Sequence, residues 1–321
     1  MKYDHCLCCG RPLELQNEYA TGWHQGCIKK FFSTSSLPRL QLDDEGINRL
    51  AEETVQKGLT VTGIQKKLSL HLSSENIHKK DFRLTLIGYP AGFILKPQSK
   101  GYQQLPEAEH TVMLLADSIG IPTVPHALIL MKDGTPAYIT KRIDRKGKNK
   151  LQMEDFCQLS ERLTEDKYKG SYEQCGKIIR KWSSMPGIDI TGFFRLTLFN
   201  FITGNSDMHL KNFSLIENEN HAFRLSKAYD LLPVQLVNPM DTEQTALTLN
   251  GKKNKIGRKD FIALGQNLGI NDKAILNMMD ELIEKASSFN PIIDSSYLQK
   301  PLKTSLKGLI QTRCTILKDM A

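Results

Sequence analysis

The sequence predicts an α+β fold in which a strand-rich half precedes a larger helical half, with a small cysteine-rich segment in front. Four of the seven cysteines lie at the very start of the 321-residue chain. Short apolar runs separated by turn residues dominate up to about residue 150, and apolar residues at helical spacing follow. We therefore expect three regions, which span 1–45, 46–150 and 151–321.

Composition narrows the class of protein. Hydrophobic residues make up 40% of the chain and charged residues 24%, which is ordinary globular usage with enough apolar material for a core. No run of about 18 apolar residues occurs and the first residues carry no apolar signal core, so we expect a cytoplasmic protein without a membrane segment. The net charge of +8 suits partners that carry phosphates. The basic residues are scattered, however, and we expect no direct binding to nucleic acid.

The cysteine-rich segment has the spacing of a four-ligand zinc site. The candidate ligands are Cys6, Cys9, His24 and Cys27. Thiolate and imidazole suit tetrahedral zinc, and Gly10 permits the tight turn after the first pair. Bound zinc would fold a segment that is too small to fold alone. The alternative is a set of free thiols, and Cys8 competes with Cys9 as a ligand.

Strand signals dominate the next region, after one predicted helix that ends near Gly58. Partial alternation of apolar residues predicts strands within 61–72 and 82–86, and a short apolar run predicts another over 93–96. A helix is expected over about 106–119, because its apolar stripe stops at a glycine.

A hairpin is predicted near the end of this region. Two apolar runs, 127–131 and 136–140, flank a turn that contains Asp133 and Gly134, and an Asp-Gly turn between apolar runs favours a hairpin. Beyond residue 152 the pattern is mostly helical. The predicted helices are 153–162, 171–182, 189–203, 259–268, 271–288 and 303–317.

Chemically reactive side chains follow the most apolar of these helices. Four residues separate Asp207 from Asn212, and a second acid, Asp230, lies further on, which is the spacing of a kinase catalytic loop and its metal-binding acid. Phosphoryl transfer needs a carboxylate that accepts the proton of the attacking hydroxyl, oxygen ligands for magnesium, and a cation beside the phosphates. Asp207 fits the first role, Asn212 and Asp230 fit the second, and Lys96 fits the third. Glu109, on the predicted helix 106–119, is placed to pair with Lys96.

Two further side chains in this loop have open interpretations. His209 either shapes the loop through hydrogen bonds or acts as an acid, and we favour the structural role because magnesium-assisted phosphoryl transfer needs little extra acid chemistry. Lys211 either touches the transferred phosphate or is solvated.

A candidate phosphate-binding loop precedes the first strand. Thr60, Thr62 and Gly63 supply small residues that let backbone amides approach phosphate oxygens. From this segment alone, a polar turn that enters a strand is an equally good interpretation.

Taken in order, these pieces resemble the HipA-like serine/threonine kinases of bacterial toxin–antitoxin systems. The matching segments are 60–68, 93–97, 105–110, 139–145, 152–159, 167–168, 204–213 and 229–231. The resemblance implies a two-lobed, protein-kinase-like fold that uses ATP and Mg²⁺. It implies the same roles for Asp207, Asn212, Asp230 and Lys96.

The resemblance also implies roles for two other segments. Lys141, Arg142 and Ile143 would lie beside the adenine and the hinge. Thr60 and Thr62 take the positions of the hydroxyls that family members autophosphorylate, and a phosphate of about −1.5 to −2 charge there would repel ATP.

Partners follow from the family as well. Long members carry many more residues ahead of the first kinase helix than this chain does. In that respect the chain is similar to the short toxin of three-gene systems, which implies a small partner protein equivalent to the missing subdomain and a helix-turn-helix antitoxin. The implied substrate is a translation-related protein such as an aminoacyl-tRNA synthetase. Two alternatives are a small-molecule kinase and a non-enzymatic, zinc-bearing regulatory module with a degenerate kinase fold.

Overall fold

The computed structural model describes two compact units. The described residues are 3–40, 67–74, 82–85, 91–146 and 149–319. One unit comprises Met1–Leu114, Val124–Lys148 and Ser295–Tyr297, and the other comprises Leu115–Thr123, Asn149–Asp294 and Leu298–Ala321. The predicted boundaries at 45 and 150 stay predictions. The helix expected before Gly58, and Thr60, Thr62 and Gly63, lie outside the described residues. Within the described part of the chain, every helix is too short or too polar to cross a lipid bilayer.

A six-stranded sheet forms the frame of the first unit. Its strands are β1 (Arg39–Leu40), β2 (Leu68–Ser74), β3 (Phe82–Thr85), β4 (Phe93–Pro97), β5 (His126–Leu130) and β6 (Pro136–Lys141). Their order in the sheet is β1-β3-β2-β4-β6-β5. The β1–β3 pair is parallel and the other pairs are antiparallel.

The predicted hairpin is confirmed as β5 and β6. Leu130 lies opposite Pro136 at its end, and the side chain of Asp133 accepts a hydrogen bond of 2.9 Å from the backbone N–H of Thr135. Gly134 has a φ of +84°, a left-handed conformation that costs glycine little. The Asp-Gly turn therefore closes the hairpin as its residue types predict.

The cysteine-rich segment shares its core with this sheet. It contains two helices that the sequence did not predict, Gln16–Thr21 and Gln25–Phe32. The buried rings of Phe31 and Phe32 pack on Phe93 of β4, with centroids 5.9 and 5.4 Å from that of Phe93, and the ring of Trp23 packs on both phenylalanines. Because the cluster unites the segment with the sheet, the segment does not fold around its cysteines alone.

Helices dominate the second unit. They are Phe156–Leu159, Tyr172–Trp182, Pro186–Thr203, Val234–Val237, Arg258–Asn267, Asp272–Ala286, Phe289–Ser295 and Lys300–Lys318. Most match predicted helices to within a few residues, as does Leu105–Ser118 earlier in the chain. The helix predicted over 271–288 is observed as Asp272–Ala286. A separate short helix that was not predicted, Phe289–Ser295, follows it. The structure also contains single-turn 3-10 segments at Thr164–Asp166 and Leu210–Asn212, and the short paired strands Arg145–Lys146 and Asn149–Lys150.

The helix predicted over 153–162 is confirmed only in its middle part, at Phe156–Leu159. Met153–Asp155 is a strand that pairs with the strand Ser214–Glu217, which in turn pairs with Phe223–Leu225. The short helix Phe156–Leu159 begins only after this strand, where Asp155 accepts a hydrogen bond of 2.9 Å from the backbone N–H of Gln158. Strand pairing and an N-cap therefore override the local helical spacing.

Candidate active site

Lys96 and Glu109 form a buried ion pair in the first unit. Lys96 Nζ lies 2.5 Å from Glu109 Oε1, and the two residues are 3% and 0% exposed. Lys96 comes from β4 and Glu109 from the helix Leu105–Ser118. The pair is the one that the sequence predicts, and it fixes the direction of the lysine side chain.

An aromatic ring also lies beside this lysine. Lys96 is opposite Tyr138 of β6 in the sheet register, and Lys96 Nζ is 5.2 Å from the centroid of the Tyr138 ring. The electron-rich face of a ring attracts a cation. The carboxylate of Glu109 and the face of the Tyr138 ring together offset part of the cost of burying the Lys96 ammonium group.

An arginine–aspartate cluster follows β6, where the resemblance implies the hinge. Arg142 donates two hydrogen bonds to Asp144, of 2.9 and 2.7 Å, and Arg145 donates a third of 2.6 Å. Burial by itself raises the pKa of Asp144, but the hydrogen bonds and charge of Arg142 and the charge of Arg145 outweigh it, and the pKa is lowered. Lys141 is the last residue of β6, and its N–H donates to the oxygen of Pro125. The guanidinium group of Arg142 is held by the two hydrogen bonds that it donates to the carboxylate of Asp144.

A glycine ends the helix that leads to the polar loop with Asp207. The helix Pro186–Thr203 stops at Gly204, which has a φ of +72°. A Cβ at this position would lie 2.5 Å from Leu309 Cδ2. The left-handed backbone therefore favours glycine here, a larger residue would also displace the Leu309 side chain, and the chain turns sharply into the polar loop.

Asn205 joins the separate parts of this loop. Its Oδ1 accepts a hydrogen bond of 3.3 Å from the N–H of Asp207, and its Nδ2 donates to the carbonyl of Asp230 at 3.4 Å. Nδ2 also donates to Asn200 Oδ1 at 2.9 Å. Because Asn205 is buried, these bonds are shielded from water, and they bring the backbones of Asp207 and Asp230 to one side chain.

Asn212 is tied to the same loop. Its Nδ2 donates to the carbonyl of Asp207 at 3.0 Å, and its N–H donates to the carbonyl of His209 at 2.9 Å. With its NH₂ group so occupied, its Oδ1 is the atom with which it would hold a cation. Asp230 has a φ of +56°, a strained conformation for a residue other than glycine. Strain of this kind clusters at functional sites.

The structure gives the contacts of Lys211 and His209, the two residues of this loop whose roles the sequence left open. Lys211 Nζ lies 2.7 Å from Asp155 Oδ2, so it is held by an ion pair. The buried ring of His209 meets the edge of the Tyr168 ring, with centroids 5.0 Å apart. These contacts fit the structural interpretation of His209.

The four candidate zinc ligands converge. The donor atoms of Cys6, Cys9, His24 and Cys27 all lie within 4.8 Å of one another. Cys9 Sγ is 3.3 Å from His24 Nδ1, and His24 Nε2 lies 2.9 Å from the carbonyl of Pro12. A carbonyl bonds to a protonated nitrogen, so Nδ1 keeps its lone pair for a metal. These donors and distances fit tetrahedral zinc.

Within this cysteine knuckle the pKa of Cys9 is lowered, whereas the pKa values of Cys6 and Cys27 are raised, because the thiols share hydrogen bonds with one another. The backbone N–H of His24 donates to Cys6 Sγ at 3.4 Å. Hydrogen bonds from the thiols of Cys27 and Cys6 lower the pKa of Cys9, and Arg11 lowers it further. Cys8 Sγ points instead to the carbonyl of His126, at 4.0 Å, and lies outside the group of four. The structure therefore favours Cys9 over Cys8 as a ligand.

Two residues with a place in this site were not singled out from the sequence. Asn205 stands in the polar run after Gly204, and that position was its only signal. Tyr168 donates a hydrogen bond of 2.6 Å to Asp207 Oδ1 from 39 residues away in the chain, and no local pattern indicates such a contact.

The substitution Glu109→Gln is expected to lower the free energy of unfolding by about 3–5 kcal/mol, because it leaves the buried Lys96 without a counter-charge. Glu107→Gln is the matched control on the same helix. Burial raises the pKa of Glu107, so a neutral amide suits that position and the effect should be small. Denaturant unfolding measures both, and equal stability of the two variants would show that the ion pair does not matter.

Comparison with known proteins identifies relatives. The model of the HipA-like C-terminal domain matches residues 59–289, which is more than half of the chain. A protein of Haemophilus influenzae, named as an inferred kinase, is 26% identical over 79% of this chain and 82% of its own length. A Sinorhizobium fredii protein with a similar name is 27% identical over 79% of this chain and 63% of its own length.

Solved structures share the fold. The HipA toxin of Shewanella oneidensis, solved with HipB and operator DNA, has a TM-score of 0.65 at 20% identity, over 84% of this chain and 71% of the HipA chain. The Helicobacter pylori proinflammatory kinase CtkA has a TM-score of 0.54 at 16% identity, over 72% of this chain and 86% of CtkA. The predicted α+β, protein-kinase-like fold with a cysteine cluster near its start is confirmed. On the extent of the family match, the chain belongs to the HipA-like C-terminal domain family.

Proposed function

We propose that this chain is an ATP-dependent kinase that transfers the γ-phosphate to a serine or threonine hydroxyl of a protein. The observation that carries the proposal is the hydrogen-bonded loop around Asn205, which joins Asp207, Asn212 and Asp230. The kinase names of two relatives support the activity. The choice of a protein hydroxyl rests on the family resemblance.

Each side chain has a role in this proposal. Asp207 accepts the proton of the attacking hydroxyl and orients it. Lys96, held by Glu109, binds the phosphates of the nucleotide. Asn212 and Asp230 offer the oxygen atoms that would hold Mg²⁺, which neutralises charge on the phosphates when bound. Lys96 and the Asp207 loop are proposed to act on one bound nucleotide.

The biological role is proposed by analogy. The solved HipA relative is in complex with HipB and operator DNA, and we propose an antitoxin as a partner of this chain. A small partner protein and a translation-related substrate such as an aminoacyl-tRNA synthetase complete the proposal. Phosphorylation of Thr60 or Thr62, which mass spectrometry after incubation with ATP would detect, is proposed as the off-switch.

We also propose that the cysteine group holds a structural zinc ion that supports the nucleotide lysine. The N–H of Leu128 in β5 donates to the carbonyl of Leu7 at 2.8 Å. A Cβ at Gly10 would lie 2.9 Å from Leu114 Cδ1, so the knuckle packs closely on the helix that carries Glu109. Thiolate ligands require reduced cysteines, and a cytoplasmic location is part of this proposal.

Labelling with γ-³²P-ATP in a cell lysate tests the activity. The natural protein should label one or a few protein bands with phosphoserine or phosphothreonine, and Asp207→Asn should label none. Label that appears only in the small-molecule fraction would favour the small-molecule kinase. Absence of any Asp207-dependent label, together with absence of ATP binding, would favour the non-enzymatic zinc module.

A further inference from the structure

The proposed catalytic carboxylate of Asp207 already accepts a hydrogen bond from a hydroxyl group of this chain. The phenol of Tyr168 donates to Asp207 Oδ1, and the two oxygen atoms are 2.6 Å apart. That length is typical of a charge-assisted bond between a hydroxyl and a carboxylate, which is about twice as strong as a neutral one. The phenol thus makes the contact that an attacking hydroxyl makes with a general base.

Three contacts hold Tyr168 in this place. Its ring meets His209 of the catalytic loop edge-on. The carbonyl of its neighbour Lys167 accepts a hydrogen bond of 3.2 Å from the N–H of Leu210. Lys167 Nζ also lies 5.0 Å from the centroid of the Tyr168 ring. The segment is therefore docked on the loop through its backbone as well as through its ring.

Tyr168 is not a core residue. It is 41% exposed, whereas the ring of Tyr172 on the adjoining helix is fully buried. Asp207 itself is half-buried. Rotation of the Tyr168 side chain toward solvent would expose the carboxylate and would not open a cavity in the hydrophobic core.

An acceptor hydroxyl competes with this phenol. To react, it must donate to the same carboxylate within about 2.6–3.2 Å. A carboxylate that already accepts one short, charge-assisted bond is a weaker base for a second donor. The rate then falls with the fraction of molecules in which the phenol is displaced, as for any binding-competent minor state.

We propose that Tyr168 occupies the acceptor-hydroxyl position on Asp207 and has to leave it before a substrate hydroxyl can react. The proposal rests on the role of Asp207 given above and extends it. Substrate recognition by this chain then includes displacement of the phenol, and acceptors that do not displace it, water included, react slowly.

Water serves as the test acceptor, because its use needs no knowledge of the protein substrate. The measurement is the release of inorganic phosphate from magnesium-ATP by the purified chain. Tyr168→Phe removes the hydroxyl and keeps the ring against His209. It should raise the kcat of hydrolysis about ten- to hundredfold, the factor that corresponds to one net hydrogen bond to a charged group, while the KM for ATP stays unchanged.

Two controls test whether the gain in kcat comes from the phenol on Asp207 and not from the loss of any tyrosine hydroxyl. Tyr19→Phe also deletes one tyrosine hydroxyl, which donates to the carbonyl of Leu13, and it should leave kcat unchanged. In the double variant of Tyr168→Phe with Asp207→Asn, the gain should disappear, because the phenol acts through that carboxylate. A purely structural role for Tyr168 would instead lower the melting temperature and kcat together.

The outcomes distinguish the two proposals. If Tyr168→Phe hydrolyses ATP no faster than the natural protein, or if the natural protein places phosphate on Tyr168 itself, the role of Tyr168 is overturned. If Asp207→Asn alone leaves hydrolysis unchanged, the assignment of Asp207 as the base is overturned, and the role of Tyr168, which depends on it, is overturned as well.

Discussion

Replacement of Asp207 by asparagine is expected to reduce phosphoryl transfer by roughly 10²- to 10⁴-fold, the contribution of a positioned general base. Asparagine keeps the shape of the side chain but accepts a proton poorly. The loop bonds to Asn205 and Asn212 use the backbone N–H and carbonyl of Asp207, so the loop should keep its conformation. Transfer of labelled phosphate measures the loss, and calorimetry should show ATP binding nearly unchanged.

Asp166→Asn is the matched control. Asp166 lies two residues before Tyr168 and pairs with the exposed Lys169 at 2.6 Å, and surface pairs of this kind contribute little. This variant should retain the activity of the natural protein. Full activity of the Asp207 variant would contradict the assignment of the base.

Loss of a zinc ligand is expected to have the largest effect on stability. Structural zinc contributes an apparent binding energy of about 10–16 kcal/mol in small zinc-finger peptides. In this chain the segment also shares the aromatic core of the sheet, so only part of that energy should be lost. A loss of even about 2 kcal/mol would lower the melting temperature of a unit of this size by roughly 4–8 °C. Cys9→Ser should therefore contain little zinc by elemental analysis, melt earlier, and bind ATP more weakly.

Cys8→Ser is the control for this change, since it removes a thiol from the same knuckle without touching the group of four. It should retain zinc and melt close to the natural protein. Two results would contradict the account: no zinc in the reduced natural protein, or zinc that is lost with Cys8 but kept without Cys9.

Much of the fold could be predicted because its signals are local. The Asp-Gly turn marked the β5–β6 hairpin, and apolar spacing marked the long helices. The strand Met153–Asp155 could not be predicted in this way, because its partner, Ser214–Glu217, lies some 60 residues away and local spacing resembles a helix. The helices of the cysteine-rich segment were missed because they depend on burial against Phe93 of the sheet.

The residues of the candidate site likewise fall into those that local sequence signals predict and those that only the folded structure reveals. Residue type and spacing were enough to propose Asp207, Asn212, Asp230 and the zinc ligands. The pairing of Lys96 with Glu109 was inferred from their places on a strand and a helix. Asn205 and Tyr168 lie in segments that match the family, but no role could be assigned to them, because their importance lies in contacts that only the folded chain creates.

Acylation by an ATP analogue tests the central claim, which is that Lys96 and the Asp207 loop act on one bound nucleotide. The analogue carries an acyl group on its γ-phosphate and transfers it to a lysine amine beside the phosphates, and mass spectrometry locates the modified residue. Lys96 should be modified in a magnesium-dependent manner, be protected by excess ATP, and be modified far less in Asp230→Asn. Modification of other lysines in place of Lys96, or equal modification of Lys96 in the Asp230 variant, would contradict the claim.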